Sequence, residues 1–160
     1  MVIDESSALA RGKETLRLES QALSGLADQL GEPFLAACQS LLQCSGRIVV
    51  TGMGKAGLIG QKISATFAST GTPSLFLHPA EALHGDLGRI QKADLILALS
   101  KSGKTKELLH LVPAAKALGA QVVAICAQAD SPLAQEADLT LALGDSSEAC
   151  PLGLAPTVST

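Results

Sequence analysis

Lys55 lies in a glycine-rich turn, Gly52-Met53-Gly54-Lys55-Ala56-Gly57, directly after the strand Arg47-Ile48-Val49-Val50-Thr51. Glu107 follows a second turn, Ser100-Lys101-Ser102-Gly103-Lys104-Thr105, which comes after Leu95-Ile96-Leu97-Ala98-Leu99. Strand, small-residue turn, then helix is how α/β proteins hold a phosphate, because unpaired N–H groups and the positive helix end converge there. Ser100, Ser102 and Thr105 can direct three hydroxyls at one anion, while Gly103 lets the backbone come close. Serines that merely cap a helix would account for one hydroxyl and not three. One turn carries a lysine and the other leads to a glutamate. That pairing points to a phosphorylated metabolite and to proton-transfer chemistry.

Two nucleotide readings of the same turns are weaker. Residues 52–57 match the dinucleotide pattern G-x-G-x-x-G, which also wants an acidic residue at the end of the second strand. That strand ends in His78-Pro79, with Glu81 only afterwards, and Lys55 stands where backbone would approach a pyrophosphate. Ser102-Gly103-Lys104-Thr105 looks like the end of a P-loop, but the motif needs a glycine where Ala98 stands. The loop is also too short to wrap a triphosphate.

The elements that must carry these turns alternate along the chain. Strands are expected near 47–51, 74–77, 94–99, 121–126 and 139–143, with helices near 57–69, 105–118 and 132–137. The strands are continuous apolar runs, the mark of parallel strands covered on both faces. A three-layer α/β sandwich around a five-stranded parallel sheet follows, with ligands at the carboxyl ends of the strands. Ahead of it, a helix is expected from Ser6 to Leu30, broken at Gly31, and a second from Glu32-Pro33 to about Cys44. Leu9, Leu16, Leu23 and Leu30 recur every seven residues. Such a seam suits helix–helix pairing with a partner, or equally an amphipathic helix lying on its own domain. Residues 1–45 are thus N-terminal helices, and residues 144–160 read as a loop without helix or strand.

Bulk composition narrows the partners. At 160 residues the chain fits one domain able to bury its own core. A hydrophobic fraction of 47% with only 2% aromatic makes that core aliphatic and leaves almost no base-stacking platform. With a net charge of −3 as well, no nucleic-acid partner is expected. Cys38, Cys44, Cys126 and Cys150 lack zinc-site spacing and read as reduced thiols, so no metal is expected. No apolar stretch approaches the ~20 residues of a membrane span, and no signal peptide is visible, which suggests a cytoplasmic protein.

Six motifs in order carry a resemblance: 51–57, Ala65-Thr-Phe-Ala-Ser-Thr-Gly-Thr-Pro73, His78-Pro79, His84-Gly-Asp-Leu-Gly88, Ser100-Lys-Ser-Gly103 and Glu148-Ala-Cys-Pro-Leu-Gly-Leu-Ala-Pro-Thr157. Together they resemble the D-arabinose 5-phosphate isomerases, members of the sugar isomerase (SIS) fold, over roughly residues 45–160. The resemblance implies a flavodoxin-like, doubly wound SIS domain over 46–160 and interconversion of D-ribulose 5-phosphate and D-arabinose 5-phosphate, a precursor of Kdo. It places the family's catalytic residues on Lys55, His84, Glu107 and Glu148. Its phosphate loop falls on Ser100, Ser102, Gly103 and Thr105, with Gly54 from the first turn. Ala56 stands where many members have serine, and Lys101, Lys104 and Lys106 make the second turn more basic than usual. The family continues into a further helix, a second site histidine and often a pair of CBS modules, so the domain is expected to be C-terminally incomplete.

The chemistry fits those residue types. Aldose–ketose isomerisation moves a proton between adjacent carbons through an enediol(ate) and needs no cofactor. It requires a base at carbon, a donor near the carbonyl oxygen and help with ring opening. Glu148 or Glu107 suits the base, Lys55 the enediolate, and His84 a proton shuttle near neutral pH. A sugar-phosphate-binding module without catalysis is the alternative, with a dinucleotide-binding domain behind it. The resemblance also implies a homo-oligomer, a tetramer or a dimer.

Overall fold

The computed structural model describes residues 4–153 and 155–159. Two compact units emerge, residues 31–144 and a second made of the N-terminal 30 residues with 145–160.

In the larger unit five strands form one parallel sheet: β1 (Ile48–Gly52), β2 (Ser74–Phe76), β3 (Leu95–Leu99), β4 (Gln121–Cys126) and β5 (Leu139–Ala142). Their order is β2-β1-β3-β4-β5. Every residue of β1 and β3 is buried, as central strands covered on both faces require. Alternation along each strand divides the core in two. Val49, Ile96, Ala98, Val122 and Ala124 face one cluster, with Leu108, Leu111 and Val112 from a helix above them. Ile48, Val50, Leu97 and Val123 face the other, with Ala37, Ile59, Ile63 and Phe67. This is the three-layer sandwich, and the 2-1-3-4-5 order is the flavodoxin-like one.

The helices of this unit are α2 (Glu32–Gln43), α3 (Gly54–Ser69), α4 (Pro79–Leu83), α5 (Lys106–Ala117) and α6 (Pro132–Glu136), with a 3-10 turn at Asp86–Arg89. The expected helices match to within a few residues. The sequence reading placed nothing helical between 79 and 90, yet α4 and the 3-10 turn lie there. Pro79 at the first helical position starts α4. Five residues are too few for a helical period to show, which is why the pattern stayed silent. Helix α2 packs on β5 and so belongs with the sheet, its Ala37 buried to 1% exposure.

Asp94 anchors the amino end of β3, opposite the turns. Its carboxylate accepts the Arg47 main-chain N–H at 2.9 Å, the Arg47 guanidinium at 2.9 Å and the Gln91 N–H at 2.9 Å. Burial alone would raise this carboxyl. The Arg47 side-chain bond, the two main-chain N–H groups and the Arg47 charge outweigh it and hold the group below its ordinary value of 3.8.

In the second unit, α1 runs from Glu5 to Gln29 and buries none of its residues. No helix or strand occurs among the described residues of 145–159, in agreement with the loop expected there. Cys38, Cys44 and Cys126 form no disulfide among the described residues. Among the described residues no helix is long and apolar enough to cross a membrane.

Candidate functional site

Strand order turns around between β1 and β3. β2 lies on one side of β1, and all later strands lie beyond β3. In sheets of this kind the crevice outside the carboxyl ends at the reversal is where ligands bind. Gly52 pairs with Leu99 at the last rung of these two strands, so the 52–57 and 100–105 turns leave the sheet side by side. The two turns singled out from sequence therefore flank that crevice.

The first turn is shaped by its glycines. Gly54 adopts φ +57° and is exposed, a conformation that L side chains rarely take. A Cβ on Gly57 would lie 2.6 Å from the Gly52 carbonyl oxygen, so this glycine lets α3 sit directly on β1. Close helix–strand packing is the role of the third glycine in a G-x-G-x-x-G turn whether or not a dinucleotide binds. No side chain caps α3. The N–H groups of its first turn are left to the crevice. Lys55 is exposed in that same turn.

The second turn is tied to the one beside it. Lys101 O accepts the Ala127 N–H at 2.9 Å and Gly103 O accepts the Leu133 N–H at 3.0 Å, both donors following β4. Gly103 is buried at φ +62°, and its N–H donates to Ser100 O at 3.0 Å. Ser100, only 5% exposed, shares a 2.8 Å hydrogen bond between its hydroxyl and that of Thr105. Thr105 spends its oxygen this way instead of capping α5, whose N-terminus has no side-chain cap. Ser102 is exposed and its hydroxyl accepts the Lys104 N–H at 3.2 Å. The structure thus joins two of the three hydroxyls and gives the third a local partner. Lys101, Lys104 and Lys106 are exposed along this turn, which favours an anion.

Glu107 is half-buried in the first turn of α5, where a negative charge suits the helix dipole. His84 is the exposed C-cap of α4, its N–H donating to Ala80 O and Glu81 O at 3.1 Å. Because α4 packs on α5, one layer carries both His84 and Glu107. Lys55, Glu107, His84 and the 100–105 turn all lie in the larger unit. Glu148 belongs to the second unit, where its carboxylate accepts the Thr157 N–H at 2.7 Å and the Val158 N–H at 2.9 Å.

Two polar atoms given no role from sequence stand out. Thr51 Oγ1 and His78 Nδ1 are buried with no hydrogen-bond partner among the described residues. Thr51 ends the β1 run at 0% exposure, and its pairing partner Ala98 faces the α5 layer. His78 directly follows Leu77 and is the N-cap residue of α4. A buried hydroxyl without a partner is costly unless something binds it. The available signal was a threonine directly after the aliphatic run of β1 and a His-Pro just beyond the end of β2.

Comparison with known proteins agrees with this geometry. The SIS domain model matches residues 41–160. The chain is 51% identical over 148 residues to the arabinose 5-phosphate isomerase KdsD of Pseudomonas aeruginosa, covering 92% of this chain and 45% of that protein. Against KdsD of Escherichia coli K12 it is 47% identical over 149 residues, again 45% of the relative. The chain therefore spans about half the length of the curated relatives it matches. Among solved structures, an Escherichia coli CFT073 protein in complex with arabinose 5-phosphate superposes with a TM-score of 0.93 at 38% identity, over 98% of this chain and 84% of the other. A Bacteroides fragilis protein described as a phosphosugar isomerase involved in capsule formation superposes with a TM-score of 0.90 at 41% identity, over 95% and 81%. The fold, the two turns at the strand reversal and the match over 41–160 lead to one conclusion: the chain belongs to the SIS domain family.

Proposed function

We propose that this chain is the catalytic domain of an aldose–ketose isomerase interconverting D-ribulose 5-phosphate and D-arabinose 5-phosphate, serving Kdo precursor synthesis for lipopolysaccharide or capsule. The observation that carries the reading is the placement of two anion-suited turns on adjacent strands at the sheet's reversal, in a chain 51% identical to a KdsD isomerase over 148 residues.

In this reading the substrate phosphate lies against Ser100, Ser102, Gly103 and Thr105, with the N–H groups beside Gly54 completing the cradle. The N-termini of α3 and α5 both lack side-chain caps, so their first-turn N–H groups are open to an oxyanion. Lys55 stabilises the enediolate oxygen. Glu107 or Glu148 takes the proton from carbon, and His84 assists ring opening and proton return. The half-reaction at carbon needs only base, donor and orientation, so this residue set is chemically sufficient without a cofactor.

The working form in this reading is a homo-oligomer, a dimer or tetramer, in the cytoplasm. Support comes from α1 and its C-cap, where Leu9, Leu16 and Leu23 of the helix and Leu30 at the cap remain 62%, 66%, 70% and 53% exposed in the single chain. A seven-residue leucine seam that is solvent-facing in one copy is suited to a second copy. Sedimentation showing only monomer at micromolar concentration would remove this part.

The test of the main reading is a coupled assay starting from ribulose 5-phosphate and detecting arabinose 5-phosphate. Formation of the aldose, lost by orders of magnitude on Lys55→Ala with modest loss of ligand binding, is the expected result. Turnover of a hexose phosphate alone would reassign the substrate.

A further inference from the structure

Glu148 is already committed within its own segment. Its Oε2 accepts the main-chain N–H groups of Thr157 at 2.7 Å and Val158 at 2.9 Å, and Oε1 accepts the Ser159 hydroxyl. The pairing is reciprocal. Thr157 Oγ1 accepts the Ala149 N–H at 3.1 Å and lies 3.4 Å from Glu148 Oε2 as a donor. An acidic side chain at one end of the loop holds the backbone of the other end, and a hydroxyl side chain at the far end holds the backbone beside the acid. That is the logic of a capping box applied to the neck of a loop. Inside the neck the chain turns tightly, with Gly153 at φ +62° donating its N–H to Cys150 O at 2.9 Å. Ala149 is buried at 6% exposure, which fixes the near side of the neck.

A base that removes a proton from carbon must present a lone pair to that carbon and then carry the proton. Both oxygens of Glu148 instead receive donors from 157–159, so protonating Oε2 would weaken charge-assisted bonds to two main-chain N–H groups at once. We propose that Glu148 is a positioning residue: it clasps the neck of the 149–157 loop, and it is not the carbon base. Of the two carboxylates available to an isomerase, that leaves Glu107. The clasp stands on the hydrogen bonds alone, whereas the exclusion of Glu148 as base rests on the isomerase reading.

Glutamine separates the two roles. Its carbonyl oxygen accepts both N–H groups, and its amide donates to the Ser159 hydroxyl, which can accept as well as donate. A glutamine cannot act as a base. Hydrogen exchange of the Thr157 and Val158 amides is measured by NMR on the full chain, in the unaltered protein and in Glu148→Gln and Glu148→Ala. Turnover of ribulose 5-phosphate is measured on the same three proteins. The clasp predicts amides that stay protected in Glu148→Gln and exchange at least about tenfold faster in Glu148→Ala. It also predicts that Glu148→Gln keeps turnover to within about tenfold, well short of the ~100- to ~10,000-fold that a general base contributes. Glu148→Ala should lose more. Free exchange of both amides in the unaltered chain would overturn the clasp. Protected amides together with a loss of several hundredfold or more in Glu148→Gln would make Glu148 the base. An unaltered chain that converts neither pentose phosphate would sink the isomerase reading and, with it, the exclusion of Glu148 as base, while the exchange rates would still judge the clasp.

Discussion

Replacing Gly103 by alanine puts a methyl group where the fold has no room for one. The added Cβ would run into the Ser131 side chain, meeting both its Oγ and its Cβ, with Leu133 Cβ 3.7 Å from it. Residue 103 also sits at φ +62°, a left-handed conformation that costs an L residue about 1–2 kcal/mol. The overlap with both Ser131 atoms is deep enough that the 100–105 turn lifts and Ser131 moves as well. Lifting the turn weakens the 3.0 Å bond from Leu133 N–H to Gly103 O, worth about 1 kcal/mol. Moving Ser131 weakens its cap on α6, the 3.3 Å bond from Ala134 N–H, worth about 1 kcal/mol more. The loss from Gly103→Ala should therefore be about 3–4 kcal/mol, a large share of the ~5–15 kcal/mol that holds a typical domain. Denaturant unfolding monitored by circular dichroism measures it, and a double-mutant cycle locates its cause. Ser131→Ala keeps the offending Cβ and should not rescue Gly103→Ala, whereas Ser131→Gly removes both clashing atoms and should recover about 1–2 kcal/mol relative to additivity. A Gly103→Ala protein within about 1 kcal/mol of the original, or strict additivity with Ser131→Gly, would refute the reasoning.

Other expectations follow from the same structure. Asp94 is held below its ordinary value of 3.8, so its contribution is full above that value and is lost as pH falls through the lower folded-state value. Unfolding midpoints should thus fall below about pH 4, and Asp94→Asn should flatten that part of the profile; an unchanged acid limb would count against it. At neutral pH Asp94→Ala strands Arg47 and two N–H groups, and should cost about 3 kcal/mol, the lower end for a buried pair because the Arg47 side chain is 35% exposed. Thr51→Val removes a buried hydroxyl without a partner at nearly constant volume and should stabilise the ligand-free protein by about 1 kcal/mol; a lower melting temperature would show the hydroxyl to be satisfied.

The sheet was legible because β1 and β3 are buried on both faces, and burial on both faces leaves an unbroken aliphatic run that no other element of this length imitates. Gly57 was legible as a pattern and mistakable as a nucleotide signal, since a helix seated on its strand with no room for a Cβ serves either use. The five residues of α4 fell below the length at which periodicity speaks, and with them went the fact that His84 ends a helix packed on the one that carries Glu107. At the second turn sequence supplied three hydroxyls but not their partners. Ser100 and Thr105 bond to each other because five residues of turn bring them face to face, while Ser102 folds back on Lys104. Glu148 marks the same boundary. A glutamate in a loop reads as a base when only its type is known, because its competing donors lie 9 to 11 residues away across a turn that no local rule specifies. Residue type tells which chemistry a side chain is capable of, and hydrogen-bond accounting tells whether its lone pairs are free to perform it. In this chain that accounting finds Thr157, Val158 and Ser159 all donating to the Glu148 carboxylate.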